Sequence, residues 1–94
     1  MKRVIFSRQA YGDLQRLEEW LAERAPEAAQ RIGPLLAGAL TSLEEHAERG
    51  RRGPRSDLRE LVVPFGVAAY LIQYRVEDTE VYVARIRHSR EDRR

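Results

Sequence analysis

The spacing of apolar residues changes once along this chain, and that change restricts the fold more than any other feature of the sequence. Up to about residue 48, apolar residues recur every three or four positions, as in an amphipathic helix. From residue 58 onward they alternate with polar residues, as in a half-buried strand. An irregular, arginine-rich stretch, residues 49–57, separates the two halves. The sequence therefore predicts a helical first half and a β-sheet second half.

Two helices are predicted before residue 49. Ser7 can cap the first helix, because serine oxygens accept hydrogen bonds from first-turn N–H groups. The apolar face of this helix is formed by Ala10, Leu14, Leu17 and Leu21. Pro26 should end the first helix and begin the second, since proline restricts the residue before it and fits the first helical position. The connection is so short that the helices, which extend from Ser7 to about Glu48, must form an antiparallel hairpin.

Two residues should shape the second helix. Pro34, which follows Gly33, lacks an N–H group and crowds the preceding turn, so we expect a bend at this point. The apolar stripe keeps its helical phase across Pro34, which indicates that the helix continues beyond it. Gly50 is expected to end the helix in the left-handed conformation that glycine adopts readily.

Four strands are expected, namely residues 2–6 before the helices and residues 58–63, 67–76 and 81–86 after them. The last three are connected by the short turns Pro64-Phe65-Gly66 and Glu77-Asp78-Thr79, and they therefore pair antiparallel. One face of the resulting sheet should pack on the helical hairpin, while the other stays open. We expect an α+β fold in two layers, a single domain over residues 1–94 with a short basic C-terminal tail.

Composition excludes several classes of chemistry. The chain has no cysteine, and its two histidines, His46 and His88, lie far apart, so no disulfide, cysteine nucleophile, metal site or cofactor is expected. No apolar run approaches the roughly 20 residues of a membrane span. The N-terminus has no signal-peptide pattern either. We therefore expect a cytoplasmic protein that does not associate with a membrane.

The basic residues are unevenly distributed. Residues 1–48 hold six Lys or Arg against eight Asp or Glu, whereas residues 49–94 hold eleven Arg against seven Asp or Glu. Four arginines form a basic loop between the second helix and the next strand: Arg49, Arg51, Arg52 and Arg55. Arginine binds phosphate and carboxylate groups with paired hydrogen bonds, so this loop suits a phosphate or an acidic partner. A solvated connecting loop is the alternative interpretation.

The last strand carries a second set of candidate residues. Regular alternation puts Val81, Val83, Arg85 and Arg87 on one face and Tyr82, Ala84, Ile86 and His88 on the other. Arg59 and Arg75, on the neighbouring strands, should converge with these arginines near one end of the sheet. Such a cluster could bind a phosphodiester with His88 as proton donor, but no base is in place to pair with this histidine. A histidine that contacts a partner is the alternative.

Three aromatic residues have more than one interpretation. Tyr70 and Tyr74 lie four positions apart on one predicted strand and therefore share a face. Packing in the core and stacking on nucleic-acid bases both fit this pattern. Trp20, on the first helix, is interpreted as a packing residue.

Five short motifs follow one another along the chain. They are Phe6-Ser7-Arg8-Gln9-Ala10 with Asp13-Leu14, Pro26-Glu27-Ala28-Ala29, Arg59-Glu60-Leu61-Val62, Tyr70-Leu71-Ile72-Gln73-Tyr74-Arg75, and Val83-Ala84-Arg85-Ile86-Arg87-His88-Ser89-Arg90. In this order and at these spacings, the motifs resemble those of the RelE/ParE superfamily of bacterial type II toxins. The resemblance extends over nearly the whole chain, and the fold of that superfamily agrees with the one expected above.

The resemblance implies a toxin that a cognate antitoxin neutralises, and two activities occur in the superfamily. RelE-like toxins cleave messenger RNA on the ribosome, whereas ParE-like toxins inhibit DNA gyrase. If the chain is a ribonuclease, Arg59, Arg85 and His88 are the candidate catalytic residues. The lysine pair of the RelE type is absent, however, and the glutamate base of some relatives has no clear counterpart. The ParE-like branch is therefore favoured.

On this interpretation the chain is a gyrase-inhibiting protein of the plasmid-stabilisation type and not an enzyme. Its target contacts would be Arg85, Arg87, His88 and Arg90. An antitoxin with an acidic, amphipathic C-terminal segment should bind it and form a hetero-oligomer, since apolar surface lies beside arginines. The alternatives are a ribosome-dependent mRNA endoribonuclease and a basic protein whose only role is to bind a partner.

Overall fold

The computed structural model describes residues 1–52 and 57–90, and within them it has two long helices and five strands. In chain order these are β1 (Arg3–Phe6), α1 (Arg8–Arg24), α2 (Pro26–Glu45), β2 (Arg51–Arg52), β3 (Arg59–Phe65), β4 (Ala68–Val76) and β5 (Glu80–His88). A short 3-10 turn, Ala47–Arg49, lies between α2 and β2. The expected α+β fold is confirmed. The part of the basic tail beyond Arg90 lies outside the described residues.

The five strands form one mixed sheet in the order β1-β5-β4-β3-β2. β3, β4 and β5 are the expected antiparallel meander, and β1 lies parallel to β5, with Val4 opposite Val81. β2 lies in the stretch that was expected to be irregular, so that expectation is wrong at residues 51–52. These two residues pair with Arg59 and Glu60 at the start of β3. The pairing depends on contact with a later strand, which no local pattern reveals.

The core lies between the helical hairpin and one face of the sheet. The helices contribute Ala10, Leu17, Leu21, Ile32, Leu36 and Leu43 to it. The strands contribute Leu61, Val63, Tyr70, Ile72, Tyr74, Val81, Val83 and Ile86. Both tyrosines have 0% exposure, so their packing in the core is confirmed and their rings are inaccessible to nucleic-acid bases. Removing these apolar side chains from water stabilises the contact between the hairpin and the sheet.

Both helices begin where the sequence predicts. The Ser7 hydroxyl accepts a hydrogen bond from Ala10 N–H at 2.9 Å, which is the expected cap of α1. Pro26 is the first residue of α2, directly after the end of α1. Pro34 lies inside α2, and the helix continues through it to Glu45. The short connection makes the two helices an antiparallel hairpin, as expected.

Gly50 is required by the close approach of Tyr74 and not by a left-handed backbone. The expected left-handed helix end is wrong, because α2 ends at Glu45 and Gly50 is extended, with φ −75°. The Tyr74 hydroxyl donates to the Ala47 carbonyl at 2.7 Å and accepts from Gly50 N–H at 2.9 Å. Burial raises the pKa of Tyr74, so the hydroxyl keeps the proton that it donates. The buried ring thus ties the end of the helical hairpin to β4.

The turn between β3 and β4 is tighter than expected. Pro64 and Phe65, which were expected in the turn, instead extend β3 and pair with Ala69 and Ala68. Gly66 allows the reversal, because its φ of +65° lies in the region that favours glycine. The two strands therefore run almost to the tip of the hairpin.

A β-bulge in β5 overturns the alternation expected for that strand. Tyr74 pairs with Val83, whereas its neighbour Gln73 pairs with Arg85, so Ala84 is an extra residue in β5. After the bulge the alternation is shifted by one position. The residues that face the helices are consequently Val81, Val83, Ile86 and His88, and those on the open face are Tyr82, Arg85 and Arg87.

Replacing Gly50 by alanine should destabilise the fold, because the new Cβ would lie 2.5 Å from the Tyr74 hydroxyl. We expect the free energy of unfolding to fall by about 1–3 kcal/mol, with Tm lower by roughly 4–8 °C for each kcal/mol. Gly12→Ala is the matched control, since no atom lies within 4 Å of its added Cβ in α1. That variant should be as stable as the parent or more stable by up to about 1 kcal/mol. Thermal unfolding measures both, and equal stability of the two variants would contradict the close approach.

Candidate functional site

β5 extends beyond the end of its neighbour β1. The beginning of α1 covers the part of the β5 edge that has no strand partner. β1 ends at Phe6, opposite Val83, whereas β5 continues to His88. Ser7 N–H donates to the Val83 carbonyl at 2.9 Å, and the Ser7 hydroxyl donates to the Ala84 carbonyl at 2.9 Å. The residue that caps α1 therefore also satisfies carbonyls that would otherwise lack a strand partner.

Asp13 covers the next part of the same edge. It is only 4% exposed, on the core-facing side of α1. Its Oδ2 atom accepts hydrogen bonds from Ile86 N–H and from Arg85 Nε, both at 2.9 Å. Its Oδ1 atom accepts from Arg16 at 3.0 Å and from Arg85 Nη2 at 3.3 Å. One carboxylate thus closes the strand edge and holds the Arg85 guanidinium by two of its nitrogens.

The same contacts keep Asp13 ionised. Burial acts to raise the pKa of Asp13, but the hydrogen bonds from Arg85, Ile86 N–H and Arg16 outweigh it and lower the pKa from its usual value. A lowered pKa means that the folded state binds the carboxylate form better than the unfolded chain does. The resulting stability is present above the ordinary aspartate pKa of about 4 and is lost as the pH falls through the folded-state pKa.

The residues expected to contact a target do not share one surface. The bulge puts Arg85 and Arg87 on the open face of the sheet, and 32% of the Arg85 side chain is exposed. His88 lies on the helix-facing side. Arg90, just beyond β5, donates its backbone N–H to His88 Nδ1 at 3.1 Å. The backbone geometry of β5 therefore puts Arg87 and His88, which are adjacent in the sequence, on opposite faces of the sheet.

His88 belongs to a row of side chains in tilted and edge-to-face contact, here called the ring column, that joins both helices to the sheet. In order, the column consists of Arg24, Trp20, His88, Tyr70, Phe65 and Arg31. The His88 ring centroid lies 5.5 Å from that of Trp20 and 5.1 Å from that of Tyr70. The Trp20 ring packs as expected, although 39% of this residue is exposed. The histidine thus fills a packing position between a helix and the sheet.

Arg59 lies apart from His88. Arg59 pairs with Tyr74, and His88 pairs with Tyr70, four residues away on β4. At roughly 3.3 Å per residue, these positions are about 13 Å apart along the sheet. The Arg59 guanidinium donates to the Gly50 carbonyl at 2.9 Å. The expected convergence is therefore wrong for Arg59, which lies opposite the core-facing Tyr74, and the structure does not bring Arg59 and His88 together.

Two arginines of the basic loop are held by side chains of the fold. Arg49 donates to the Ser42 hydroxyl at 2.7 Å. Arg51 forms an ion pair with Glu60 at 2.7 Å, in which 10% of the glutamate side chain is exposed. Arg55 lies outside the described residues. These contacts fix the start of the loop against α2 and β3.

Arg52 lies in β2 opposite Arg59, beside a depression of about 330 Å³. The depression is also lined by Glu48 and Asp57, so its walls carry both signs of charge. A phosphate at this position would meet carboxylates as well as guanidinium groups. The described part of the basic loop therefore lacks the uniformly positive surface typical of a phosphate site.

Carboxylates accompany several of the arginines on the sheet. The ion pairs are Arg3–Glu80 at 3.1 Å, Arg75–Glu77 at 2.6 Å, Arg51–Glu60 at 2.7 Å and Arg85–Asp13 at 2.9 Å. Arg75 also stacks over the Tyr82 ring at 4.8 Å. A phosphate would have to compete with these acidic partners for the guanidinium groups.

Metal-binding geometry is not found in residues 1–52 and 57–90, since no three His, Cys, Asp or Glu side chains gather there. Nor does any helix in these ranges have the length and apolar character needed to cross a membrane. The polar side chains that the described structure does bring together are arginines and carboxylates, as around Asp13.

Asp13 is the residue that sequence reasoning noted only as part of a motif. It lies three positions after Ala10 and four before Leu17, which puts it on the apolar face of α1. An acidic side chain at such a position must be paired or hydrogen-bonded. This signal predicts a partner for the carboxylate but does not identify Arg85, which lies on the last strand.

Replacing Asp13 by asparagine should make the protein less stable at neutral pH and flatten its response to acid. At pH 7 we expect the free energy of unfolding to fall by about 2 kcal/mol, because the charged hydrogen bonds to Arg85 and Arg16 are lost. Below about pH 4 the difference in the free energy of unfolding between parent and variant should become smaller, since the parent carboxylate becomes protonated there. Urea unfolding between pH 2.5 and 7 measures this difference. A difference that is independent of pH would show that the ionised carboxylate contributes nothing to folding.

Residues 4–93 match the family model described as "ParE toxin of type II toxin-antitoxin system, parDE". Toxin RelE1 of Caulobacter vibrioides is 50% identical over 91 residues, which cover 96% of each chain. Toxin RelE3 of the same organism is 44% identical over 93 residues, covering 99% of this chain and 100% of that protein. The resemblance to the RelE/ParE superfamily is therefore confirmed.

The solved structures agree on the fold. One described as "Chromosomal ParDE TA system from P. aeruginosa" matches with a TM-score of 0.79 at 21% identity, covering 94% of this chain and 96% of that one. The helical hairpin packed on a mixed sheet is thus a known arrangement. The family match, in turn, implies a cognate antitoxin as partner. The chain belongs to the ParE toxin family, and it is the toxin of a type II toxin–antitoxin system.

Proposed function

We propose that this toxin inhibits DNA gyrase and acts as a binding protein. The observation that carries the proposal is the position of His88, which packs between Trp20 and Tyr70 and accepts the Arg90 N–H at Nδ1. A histidine held in this way serves as a packing group. The matching family model is that of ParE, whereas the relatives carry the name RelE, so the choice of target is argued from the residues.

The ribonuclease alternative requires proton transfer at two atoms. Cleavage through an internal 2′-hydroxyl needs a base for that hydroxyl and an acid for the leaving oxygen, each typically worth 10²–10⁴ in rate. Arginine stays protonated at any working pH and serves as neither a base nor an efficient acid. Arg59 also lies about 13 Å along the sheet from His88. These features weigh against acid–base catalysis by Arg59, Arg85 and His88.

The charge pattern also favours a protein target. RNA binding depends on basic side chains that neutralise phosphates, whereas four sheet arginines of this toxin, Arg3, Arg51, Arg75 and Arg85, already have carboxylate partners. Protein interfaces are enriched in arginine and large aromatic residues. The proposed contacts with gyrase are Arg85 and Arg87 on the open face, the accessible part of His88, and Arg90 beyond β5.

Two substitutions of His88 separate a packing role from a proton-transfer role. His88→Phe keeps an aromatic ring in the column but has no titratable group, so it should inhibit gyrase supercoiling within about threefold of the parent. His88→Ala removes the ring and should weaken inhibition by about tenfold or more. Purified toxin is assayed against gyrase and, separately, against mRNA on translating ribosomes.

The control for this assay is thermal unfolding of both variants, which shows whether each is folded at the assay temperature. Ribosome-dependent cleavage by the parent that both His88→Phe and His88→Ala abolish, with supercoiling untouched, would overturn the proposal. That result would establish the ribonuclease alternative.

The cognate antitoxin is proposed to dock with its acidic, amphipathic segment in a groove between α2 and β3. The groove has a volume of about 350 Å³ and is lined by Leu35, Gly38, Ala39, Val62, Val63 and Pro64. Leu35 and Val62 are 37% and 38% exposed, and Arg49 borders them. β2 covers only the first two residues of β3, so the outer edge of β3 is available to an added segment in the described structure.

An acidic side chain in this groove should repel an acidic segment and remove apolar contact. Val62→Glu is therefore expected to weaken antitoxin binding by about tenfold or more. Val67→Glu is the matched control, since Val67 is 88% exposed at the β3–β4 turn and does not line the groove. Titration of the antitoxin encoded beside the toxin measures both. Equal affinity of the two variants would exclude the groove as the docking site.

A further inference from the structure

Arg85 is a proposed contact residue whose direction the fold controls closely. Its guanidinium meets Asp13 through Nε at 2.9 Å and Nη2 at 3.3 Å, a two-point contact that fixes the plane of the group. The carboxylate side chain is 5% exposed, whereas the arginine side chain is 32% exposed. One side of the guanidinium therefore rests on a buried anion while another part stays accessible.

Among the other ion pairs of the sheet, Arg51–Glu60 also joins an exposed arginine to a glutamate side chain that is 10% exposed, through Nε at 3.2 Å and Nη2 at 2.7 Å. Arg51 is not one of the proposed contact residues, however, and the remaining two pairs are more exposed. In Arg3–Glu80 the two side chains are 77% and 32% exposed, and in Arg75–Glu77 they are 41% and 40% exposed. Exposed pairs of this kind hold their side chains weakly. Asp13, by contrast, is itself fixed by the Ile86 N–H.

The bond to Ile86 has a second consequence for the surface. Ile86 follows directly on Arg85, just after the bulge at Ala84, and its N–H lies on the edge of β5 that β1 does not cover. By accepting this N–H, Asp13 holds the strand in the register that puts Arg85 and Arg87 on the open face. The carboxylate thus acts on both the backbone and the side chain of the proposed contact region.

We propose that Asp13 is a positioning residue of the toxin, which holds Arg85 in the orientation that the target recognises. This inference rests on the proposed function, in which Arg85 contacts the target. Asp13 itself is buried and touches no target. Binding is favoured because the guanidinium is already ordered in the free toxin, so less side-chain freedom is lost on association.

The role of the charge can be separated from that of the hydrogen bond to the strand. In Asp13→Asn the amide oxygen can still accept the Ile86 N–H, but the anion that holds Arg85 and Arg16 is gone. Arg85→Lys keeps the positive charge but cannot make the two-point contact. If orientation is what matters, both variants should lose activity to a similar extent.

The test is a double-mutant cycle on the full chain, with growth arrest after induction and inhibition of gyrase supercoiling as the two readouts. Asp13→Asn and Arg85→Gln should each weaken the toxin by about tenfold, and the double variant should be no weaker than either. Arg85→Lys should resemble Arg85→Gln. Glu80→Gln is the matched control. Glu80 lies on β5, like Arg85, but its partner is Arg3 of β1, so this variant should retain full activity.

The NMR signal of the Arg85 Nε–H group reports on the contact with Asp13 and not on a general loss of stability. In the parent this signal should be protected from exchange, and in Asp13→Asn the protection should be lost while the Ile86 amide stays protected. If Asp13→Asn fails to fold, Arg85→Lys and Arg85→Gln decide the question, because full activity of Arg85→Lys would overturn the inference.

These experiments distinguish a failure of the positioning role of Asp13 from a failure of gyrase as the target. Additive effects of Asp13→Asn and Arg85→Gln on growth arrest, or a fully active Asp13→Asn, would refute the positioning role, whatever the target is. Coupled effects on growth arrest without any inhibition of gyrase would support the positioning role and refute gyrase as the target.

Discussion

The structure depends on how the edge of β5 is closed after β1 ends. A strand edge without partners would leave backbone groups unsatisfied beside the core. Ser7 and Asp13, one at the cap of α1 and one in its second turn, supply these partners instead of a longer β1. The first helix is therefore attached to the sheet by hydrogen bonds as well as by apolar packing.

The hydrogen bonds between α1 and the β5 edge also position the surface that is proposed to contact a target. The bulge at Ala84 turns Arg85 to the open face and Ile86 into the core, and the Asp13 carboxylate holds both. Two residues further along, at the C-terminal end of β5, His88 packs in the ring column. The strand that carries the contact residues is thus fixed at two points, as expected for a rigid binding surface.

A second buried polar contact determines how the helical hairpin joins the meander. The Tyr74 hydroxyl bonds to Ala47 and Gly50, so the end of α2 is held against β4 and the chain enters β2 in an extended conformation. Arg59 then donates to the Gly50 carbonyl from β3. In this toxin, residues that resemble parts of a phosphate-binding or catalytic set mainly hold the fold together, which supports partner binding over catalysis.

The sequence by itself determined the two helices, β1 and the three strands of the meander, because helix caps, proline positions and apolar periodicity act over a few residues. Pro26 separates the helices and alternation marks the meander, and both predictions are confirmed. Only the tertiary structure decided the bulge at Ala84, the extended Gly50 and the ion pair between Asp13 and Arg85. These features join segments far apart in the chain, and a local pattern contains no information on which distant group will satisfy a buried carboxylate or a free strand edge.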